Sequence, residues 1–546
     1  MNQHSDDQAR QSRAHQLSRR TFLGGVAATA GGAMLASAAV PLLSETAMAQ
    51  GATATPVAAS GAQVSMGWQK PTNFDPLFTQ NGFEEEVQRL IFSALVKMND
   101  KLEPVPDLAE TIDISPDAKT YTFHLKKLTF SDGQPLTAKD VVFTINRAVD
   151  KRTGSVWRGR LLKIQGATEY GDQKAESISG LETPDDYTVK ITLTDPDSTF
   201  LVTLADFSGF GILPEHVLKD VPPDQLQKHP FTLNPNVSAG AFTFAHFATD
   251  QYLELDRNEA YTGGPKPPLS KIFLKIVTPD NGLAQMDTGD LDIFGPGSLP
   301  VAEMDMVKKN PNLNLVSVPS PSVSFIAINF EKPYLQDKRI RQAMQYAINR
   351  AGIVSSFYKG EATVVNSTII GPNWMGTPTG LNPYAFDPDK AKQLLKEAAW
   401  DSSRKLAMIF PPGDQLQDSY AAVIQQQFKD VGIDVTLDES EQFGTRLVDS
   451  GDYDLALAGG GVFRADPNVS AKYFETVNFT PAGANYSHYS NPALDELFKA
   501  GRATPDKAQR KEIYTKAAAM LNDELPWIFL WSPNSIFAIN KRVVGF

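Results

Sequence analysis

Between residues 338 and 457 the chain alternates two hydrophobic rhythms, and that alternation restricts its fold more than any other feature. Ile340, Ala343, Met344, Ala347 and Ile348 recur at helical spacing, as do Ala391, Leu394, Leu395, Ala398 and Ala399, so each set forms one apolar stripe. After them come an apolar run at Leu406–Phe410 and a helix through Ala421, Ile424, Phe428 and Val431, stopped at Gly432. A strand at Ile433, Val435 and Leu437 and a further run at Tyr453–Leu457 follow. Strands and helices in this order predict a mostly parallel sheet with right-handed crossovers, an α/β lobe. The earlier part has another rhythm. Tyr121, Phe123 and Leu125 alternate with Thr122 and His124, and Tyr187, Val189, Ile191 and Leu193 alternate with polar neighbours, the period-two mark of half-buried strands. Between them Thr137 and Asp140 stand at capping-box spacing, with Val141, Ile145 and Ala148 following on one face, so a helix is predicted to start there. At 546 residues the chain is longer than one core usually serves, and two or three domains are expected.

The amino-terminal stretch reads as an address. Ser18-Arg19-Arg20-Thr21-Phe22-Leu23 leads into an uncharged run from 21 to 44 and then Ala47-Met48-Ala49, the order of a twin-arginine export signal cleaved before Gln50. An uncleaved anchor is the competing reading, but the run is dominated by Gly and Ala and ends in a small-x-small site. Residues 50–65 are rich in small side chains and form a flexible lead-in. Without residues 1–49 the chain keeps 47 basic and 60 acidic residues, a balance of −13 that repels nucleic acid and anionic lipid. The sequence has no cysteine, which excludes disulfides, thiolate-bound zinc, iron–sulfur clusters, thiol nucleophiles and lipidation at an amino-terminal cysteine. An exported protein without a lipid tether is retained only behind an outer membrane, so the expected location is the periplasm.

Catalytic sets are hard to find. The histidines outside the leader, His124, His216, His229, His246 and His488, are scattered with no metal-binding spacing. Ser402 and Lys405 match the SxxK pattern of acyl-enzyme formers, but no serine-aspartate-asparagine or lysine-threonine-glycine partner accompanies them. Gly459, Gly460 and Gly461 lack the frame of a phosphate-binding loop; three glycines in a row suit a close backbone approach to something small.

Several segments carry a family resemblance. They are Asn73-Phe-Asp-Pro76, Pro106-Asp-Leu-Ala-Glu-Thr111, Thr120–Lys127 running into Phe130–Phe143, and Leu213-Pro-Glu-His-Val217. Further on come Asp256-Arg-Asn258, Thr288-Gly-Asp-Leu-Asp292, Asp337–Ala343, Tyr346–Arg350 and Pro388–Trp400. In this order they resemble the extracellular solute-binding proteins of family 5, the peptide, oligopeptide and nickel-complex class serving ABC importers, and the resemblance covers essentially the whole mature chain. It implies an α/β, two-lobed periplasmic-binding-protein fold of type II, the large class with an extra inserted domain, with the ligand cleft between the lobes. On this reading residues 66–98, 236–320 and 522–546 form the first lobe, 99–235 the inserted domain and 321–521 the second lobe. Capture and shape change need no catalytic group, cofactor or metal. The implied partners are a peptide or peptide-sized solute and the permease subunits of an ABC transporter, with the twin-arginine machinery acting on the precursor. A monomer suffices, because one cleft closes on itself.

The resemblance also places candidate ligand contacts. Leu457–Pro467 looks like the cleft-lining segment that ends in Asp-Pro. Peptide-binding members hold the ligand's amino terminus with an aspartate a few residues before that Asp-Pro; here the neighbourhood offers Phe463 and Arg464, and Asp466 is its only carboxylate. An arginine there suits a carboxylate or another anion, the alternative being a pair with Asp466 or a solvated side chain. Opines, glycans, nickel complexes and organic anions therefore stand beside peptides as ligand classes, and an exported hydrolase is a remote alternative. Gly460 and Gly461 belong to the same segment. Trp374 lies in a turn-rich loop, either over a ligand or packed beneath the loop. Gln80, Phe83 and Asn329 fall where this fold brings chain to the cleft. At Asn236–Gly240 only the last glycine of the family's usual Val-Gly-Thr-Gly run is kept.

Overall fold

The computed structural model describes residues 61–79, 82–205, 209–295, 299–320, 322–369, 374–461 and 465–544. The predicted export signal and residues 50–60 of the predicted lead-in lie outside them; residues 62–65, expected in that flexible lead-in, instead belong to the first strand, where Val64 is buried and pairs with Ile272.

The chain opens with β1 (Ala62–Trp68) and α1 (Gly82–Ile91), then a short hairpin of β2 (Val96–Met98) and β3 (Pro104–Pro106). A separate four-stranded antiparallel sheet follows, built from β4 (Ala109–Ile114), β5 (Thr120–Leu125), β6 (Leu181–Asp185) and β7 (Thr188–Thr192) in the order β4-β5-β7-β6. Helix α2 (Ala138–Val149) lies between its strands in sequence, and the Asp140 carboxylate reaches back to the Thr137 amide at 2.8 Å, as the capping-box spacing predicts. Return to the first sheet is through Gly240, where a Cβ would lie 2.4 Å from the Ile91 carbonyl carbon; only glycine fits that crossing.

The first lobe's strands continue with β8 (Phe242–Ala248), β9 (Tyr252–Arg257), β10 (Leu269–Ile276), β11 (Ile293–Phe294) and β12 (Leu313–Pro319). The second lobe holds β13 (Ser322–Ile328), α3 (Lys338–Ala347), β14 (Ala362–Val364), α4 (Pro388–Glu397), β15 (Lys405–Phe410), α5 (Gln415–Asp430), β16 (Asp434–Glu439) and β17 (Leu455–Gly461). Helices α6 (Pro492–Ala503) and α7 (Lys507–Glu524) precede the last strand, β18 (Trp527–Asn540).

The long sheet runs β16-β15-β17-β13-β18-β11-β1-β10-β9-β8, with β12 and β14 also paired to β18. Two connections therefore pass between the lobes. One is the turn from β12 to β13; the other is β18, whose start pairs with β13 and β14 and whose end pairs with β12 and β11. They are stitched together where they cross: the Ser320 amide donates to the Pro533 carbonyl at 3.3 Å, and the Ser532 hydroxyl to the Ser320 carbonyl at 3.2 Å. The carboxy-terminal segment, expected in the first lobe, is thus shared by both.

The sheet of the second lobe differs from the expected one. β15 lies parallel to β16 and β17, but β13 is antiparallel to both β17 and β18. Helical crossovers enforce parallel pairing only between strands that they connect; β18 arrives from the chain's far end and is free to run the other way. Both faces of this sheet are covered. Ile326, Ile328, Leu406, Met408, Leu455, Leu457 and Ile528 enter one core, whereas Phe325, Ala327, Ile409, Ala456, Ala458, Trp527 and Phe529 enter the other. That division is the strand's period of two carried through four strands. On the other side of the molecule one continuous core joins Val64, Leu255 and Leu274 of the first lobe to Phe123, Val141 and Val189 of the inserted segment.

Candidate functional site

Three parts of the chain converge on a cavity of about 490 Å³: Glu85 on α1, residues 159–163 and 199–203 of the inserted segment, and Asp466–Asn478 with Arg502 from the second lobe. Its walls carry charges of both signs, most of them already engaged. Lys163 pairs with Asp197 at 2.5 Å and Arg502 with Glu475 at 2.6 Å.

Behind Glu85, α1 is anchored by the Asn73-Phe-Asp-Pro76 turn. Asp75 is fully buried; one oxygen accepts the Leu77 amide at 2.9 Å, and the other has no partner among the described residues. Burial pushes this carboxyl up to about 7, with the Leu77 amide opposing. Thr79 donates to the Asp75 carbonyl at 3.1 Å and accepts from Gln88, while Glu84 accepts from the Thr72 hydroxyl at 2.8 Å and the Asn73 amide at 3.0 Å. The turn is thereby locked onto α1. The inserted segment grips its other side: Trp157 Nε1 donates to the Pro76 carbonyl at 2.9 Å and Ser155 to the Leu77 carbonyl at 2.8 Å. Phe83 lies in the first turn of α1; its side chain and Gln80 lie outside the described residues.

The glycines precede the Asp466–Asn478 wall in sequence. Gly459, Gly460 and Gly461 continue β17, opposite Ser324, Val323 and Ser322 of β13. On its other side β17 meets β15 only through Leu455 and Ala456, so the Ala458–Gly461 edge has no strand partner among the described residues. Packing does not demand a glycine at 459: a Cβ there would come no nearer than 3.9 Å to any atom. Gly459 is exposed, whereas Gly460 is half-buried and a Cβ there would meet the Phe325 ring at 3.4 Å and the Tyr473 hydroxyl at 3.5 Å. Phe463 and Arg464, which follow, lie outside the described residues.

Asp466 resumes the chain, and its environment is specific. It is 3% exposed, accepts the Asn468 amide at 2.8 Å through the same oxygen that meets the Arg510 guanidinium at 2.8 Å, and so starts the short 3₁₀ turn Pro467–Ser470. Burial pushes its carboxyl up and Arg510 pulls it back down. The carboxylate is therefore engaged inside the wall. Arg510 also donates from Nε to the Gly501 carbonyl at 3.0 Å, and its guanidinium lies 5.3 Å from the ring centres of Trp374 and of Tyr514. Trp374 is half-buried and packs against the second lobe's core, so Arg510 joins the Trp374 loop to the Asp-Pro segment.

Asn329 is placed differently. It is 2% exposed, its amide nitrogen donates to the Gly451 and Tyr453 carbonyls at 3.0 and 2.9 Å, and its oxygen accepts from the Glu331 amide. It braces the turn into β17 from within. A second cavity of about 340 Å³, lined by Pro319, Asn366, Thr377, Leu381 and Ser532 among others, opens beside the crossing of the lobes, with no charged side chain in its lining among the described residues.

The sequence reading missed Arg510, although a signal existed. Arg510, Tyr514, Ala517, Ala518 and Leu521 share one buried face of α7, and an arginine on an apolar stripe requires a partner. It missed Lys163, Asp197 and Arg502 because their juxtaposition is purely tertiary.

Residues 103–480 match the family described as bacterial extracellular solute-binding proteins, family 5, middle region. The chain is 31% identical over 492 residues to a putative ABC transporter peptide-binding protein of Brucella ovis, covering 87% of each. It is 28% identical over 503 residues to the dipeptide-binding protein of Escherichia coli, covering 87% of this chain and 90% of that one. Among solved structures it is similar to the oligopeptide-binding protein AppA of Bacillus subtilis in complex with a nonapeptide, with a TM-score of 0.74 and 25% identity over 89% of this chain and 96% of that one. The chain belongs to the bacterial extracellular solute-binding proteins of family 5 and has their two-lobed α/β fold.

Proposed function

We propose that this protein is the substrate-binding component of an ABC importer, taking up a peptide or peptide-sized solute in the periplasm and delivering it to a membrane permease as a monomer. The observation that carries the peptide reading is the bare edge of β17. On its β15 side the strand edge at Ala458–Gly461 has no partner among the described residues, and backbone groups along such an edge are what an extended peptide's main chain pairs with, while the glycines leave room for it to approach. Relatives named for peptide and dipeptide binding point the same way. Phe463, Arg464, Trp374, Gln80 and Phe83 are the side chains assigned to the ligand's surroundings, with Asp466 and Asn329 acting through the backbone that they hold. Asp466 is paired with Arg510, so the ligand's amine is not its partner, and an extended backbone supplies the binding energy. Residues 1–49 direct twin-arginine export with cleavage after Ala49; residues 66–98 and 236–320 make up the first lobe, 99–235 the inserted domain and 321–521 the second lobe, with the last strand shared by both lobes.

The test is native mass spectrometry of the mature chain, Gln50–Phe546, purified from a periplasmic extract, followed by thermal shift with a pool of synthetic tri- and pentapeptides, with sugars and with small organic acids. A co-purified peptide mass and a melting rise with peptides alone are the expected results. A rise with sugars or organic acids and none with peptides overturns the peptide assignment.

A further inference from the structure

Helix α6 ends against the inserted segment, and the way its last carbonyls are satisfied separates two kinds of contact. A helix leaves its final carbonyls without intrahelical partners. Here the Ala500 carbonyl accepts from the Thr504 hydroxyl at 2.8 Å, and the Gly501 carbonyl from Arg510 Nε at 3.0 Å, both donors belonging to the second lobe itself. The next carbonyl, Arg502, receives two donors from the inserted segment: the Ser198 amide at 2.8 Å and the Ser198 hydroxyl at 2.9 Å.

Ser198 is held ready for this contact. Asp197 accepts from the Thr199 amide at 2.9 Å and the Thr199 hydroxyl at 2.6 Å, pairs with Lys163 at 2.5 Å, and offers its own carbonyl to the Tyr121 hydroxyl at 2.6 Å. The loop is thus fixed on both sides of Ser198 whether or not α6 is present. The partial negative charge at a helix carboxy terminus favours the two donors. The receiving end is tied to the ligand wall: Arg502 reaches Asn468 and Glu475, and Arg510 holds Asp466 while it caps Gly501.

We propose that Ser198 is a positioning residue for capture, a latch that docks on the Arg502 carbonyl when the lobes close and so holds the Asp466–Asn468 wall against the inserted segment. Lys507 and Glu103, 3.8 Å apart across the same two parts of the chain, add a weaker, salt-screened contact. The latch rests on the reading that the lobes close over a solute. When they part, Ser198 and Arg502 exchange their hydrogen bonds for water, so the latch biases closure by a modest factor and leaves release possible.

The native chain has no cysteine, so dyes attach only where cysteines are introduced. Exposed Lys174 lies in the inserted segment and exposed Lys499 on α6, about one helical turn before Arg502. Single-molecule FRET on the K174C/K499C chain, alone and with the pool of synthetic tri- and pentapeptides, reads the ratio of closed to open molecules. The expected result is two populations, with S198A lowering that ratio about fivefold in both conditions and Ser198→Thr restoring it. The thermal midpoint of the ligand-free S198A chain stays at the wild-type value. Equal ratios in wild type and S198A overturn the latch, as does a single unchanging population, since lobes that never part have nothing to latch. If peptides leave the wild-type ratio unmoved while S198A still lowers it, the peptide reading fails and the latch stands.

Discussion

Arg510 shows how one side chain decides what its neighbours are able to do. It is 6% exposed at its side chain and Asp466 3%, so neither charge reaches bulk water and each depends on the other. Arg510→Met leaves a buried carboxylate alone and is expected to cost about 3–5 kcal/mol, read as a drop in the urea midpoint. Asp466→Asn together with Arg510→Met is expected to cost clearly less than the two single changes added, and strict additivity would show that the pair is not coupled. Asp75 makes the opposite case, a buried carboxyl with one oxygen that has no hydrogen-bond partner among the described residues. Its folded value of about 7 lies above the unfolded 3.8, so between these values the folded chain holds more protons and stability falls as pH rises. The penalty approaches about 4 kcal/mol above pH 7. Asp75→Asn keeps an acceptor for the Leu77 amide and is expected to flatten stability between pH 4 and pH 8. Parallel pH profiles for variant and wild type would sink that assignment.

At the level of elements, local pattern and long-range pairing contributed unequally. The alternation at Tyr121–Leu125, the cap at Thr137 and Asp140, and the stripes at Ile340–Ala347 and Ala391–Leu395 were legible because each is settled within a few residues, whereas Ala399, expected on the second stripe, is exposed beyond the helix end with φ 51°. The antiparallel course of β13 and the sharing of β18 were not, since strand partners far apart in the chain leave no local mark. The site divides in the same way. Gly460 and Gly461 could be picked out as a bare backbone, whereas the role of Asn329 as an internal brace depends on where Gly451 and Tyr453 come to rest. The exposed end of β17 gives a direct test of its use. A Cβ at Gly459 would meet nothing closer than 3.9 Å and Gly459 is exposed, so Gly459→Leu is expected to fold with a melting temperature within a few degrees of wild type. The same side chain blocks the approach to the strand edge, and the melting rise produced by the peptide pool should fall by more than half. A full rise in the variant would mean that ligands do not use this edge.

A two-lobed capture device works only if each side of the cleft moves as one body, and the cores show how the bodies are composed. Phe123 and Val189 of the inserted sheet share a continuous apolar cluster with Leu255 and Leu274 of the first lobe, while the second lobe keeps separate cores on the two faces of its own sheet. Insert and first lobe are therefore expected to be one cooperative unit despite their separate sheets, and that rigidity is what allows a loop on the insert to report on the position of the second lobe. Phe123 is completely buried, and Phe123→Ala should cost about 3–5 kcal/mol through lost contacts and the cavity left behind. If the unit is real, native-state hydrogen exchange in this variant accelerates in β1, β9 and β10 as much as in β5 and β7, with β15–β17 unchanged. Acceleration confined to the inserted sheet would make the insert an independent domain, and its loops would then fluctuate too freely for Ser198 to hold the cleft shut.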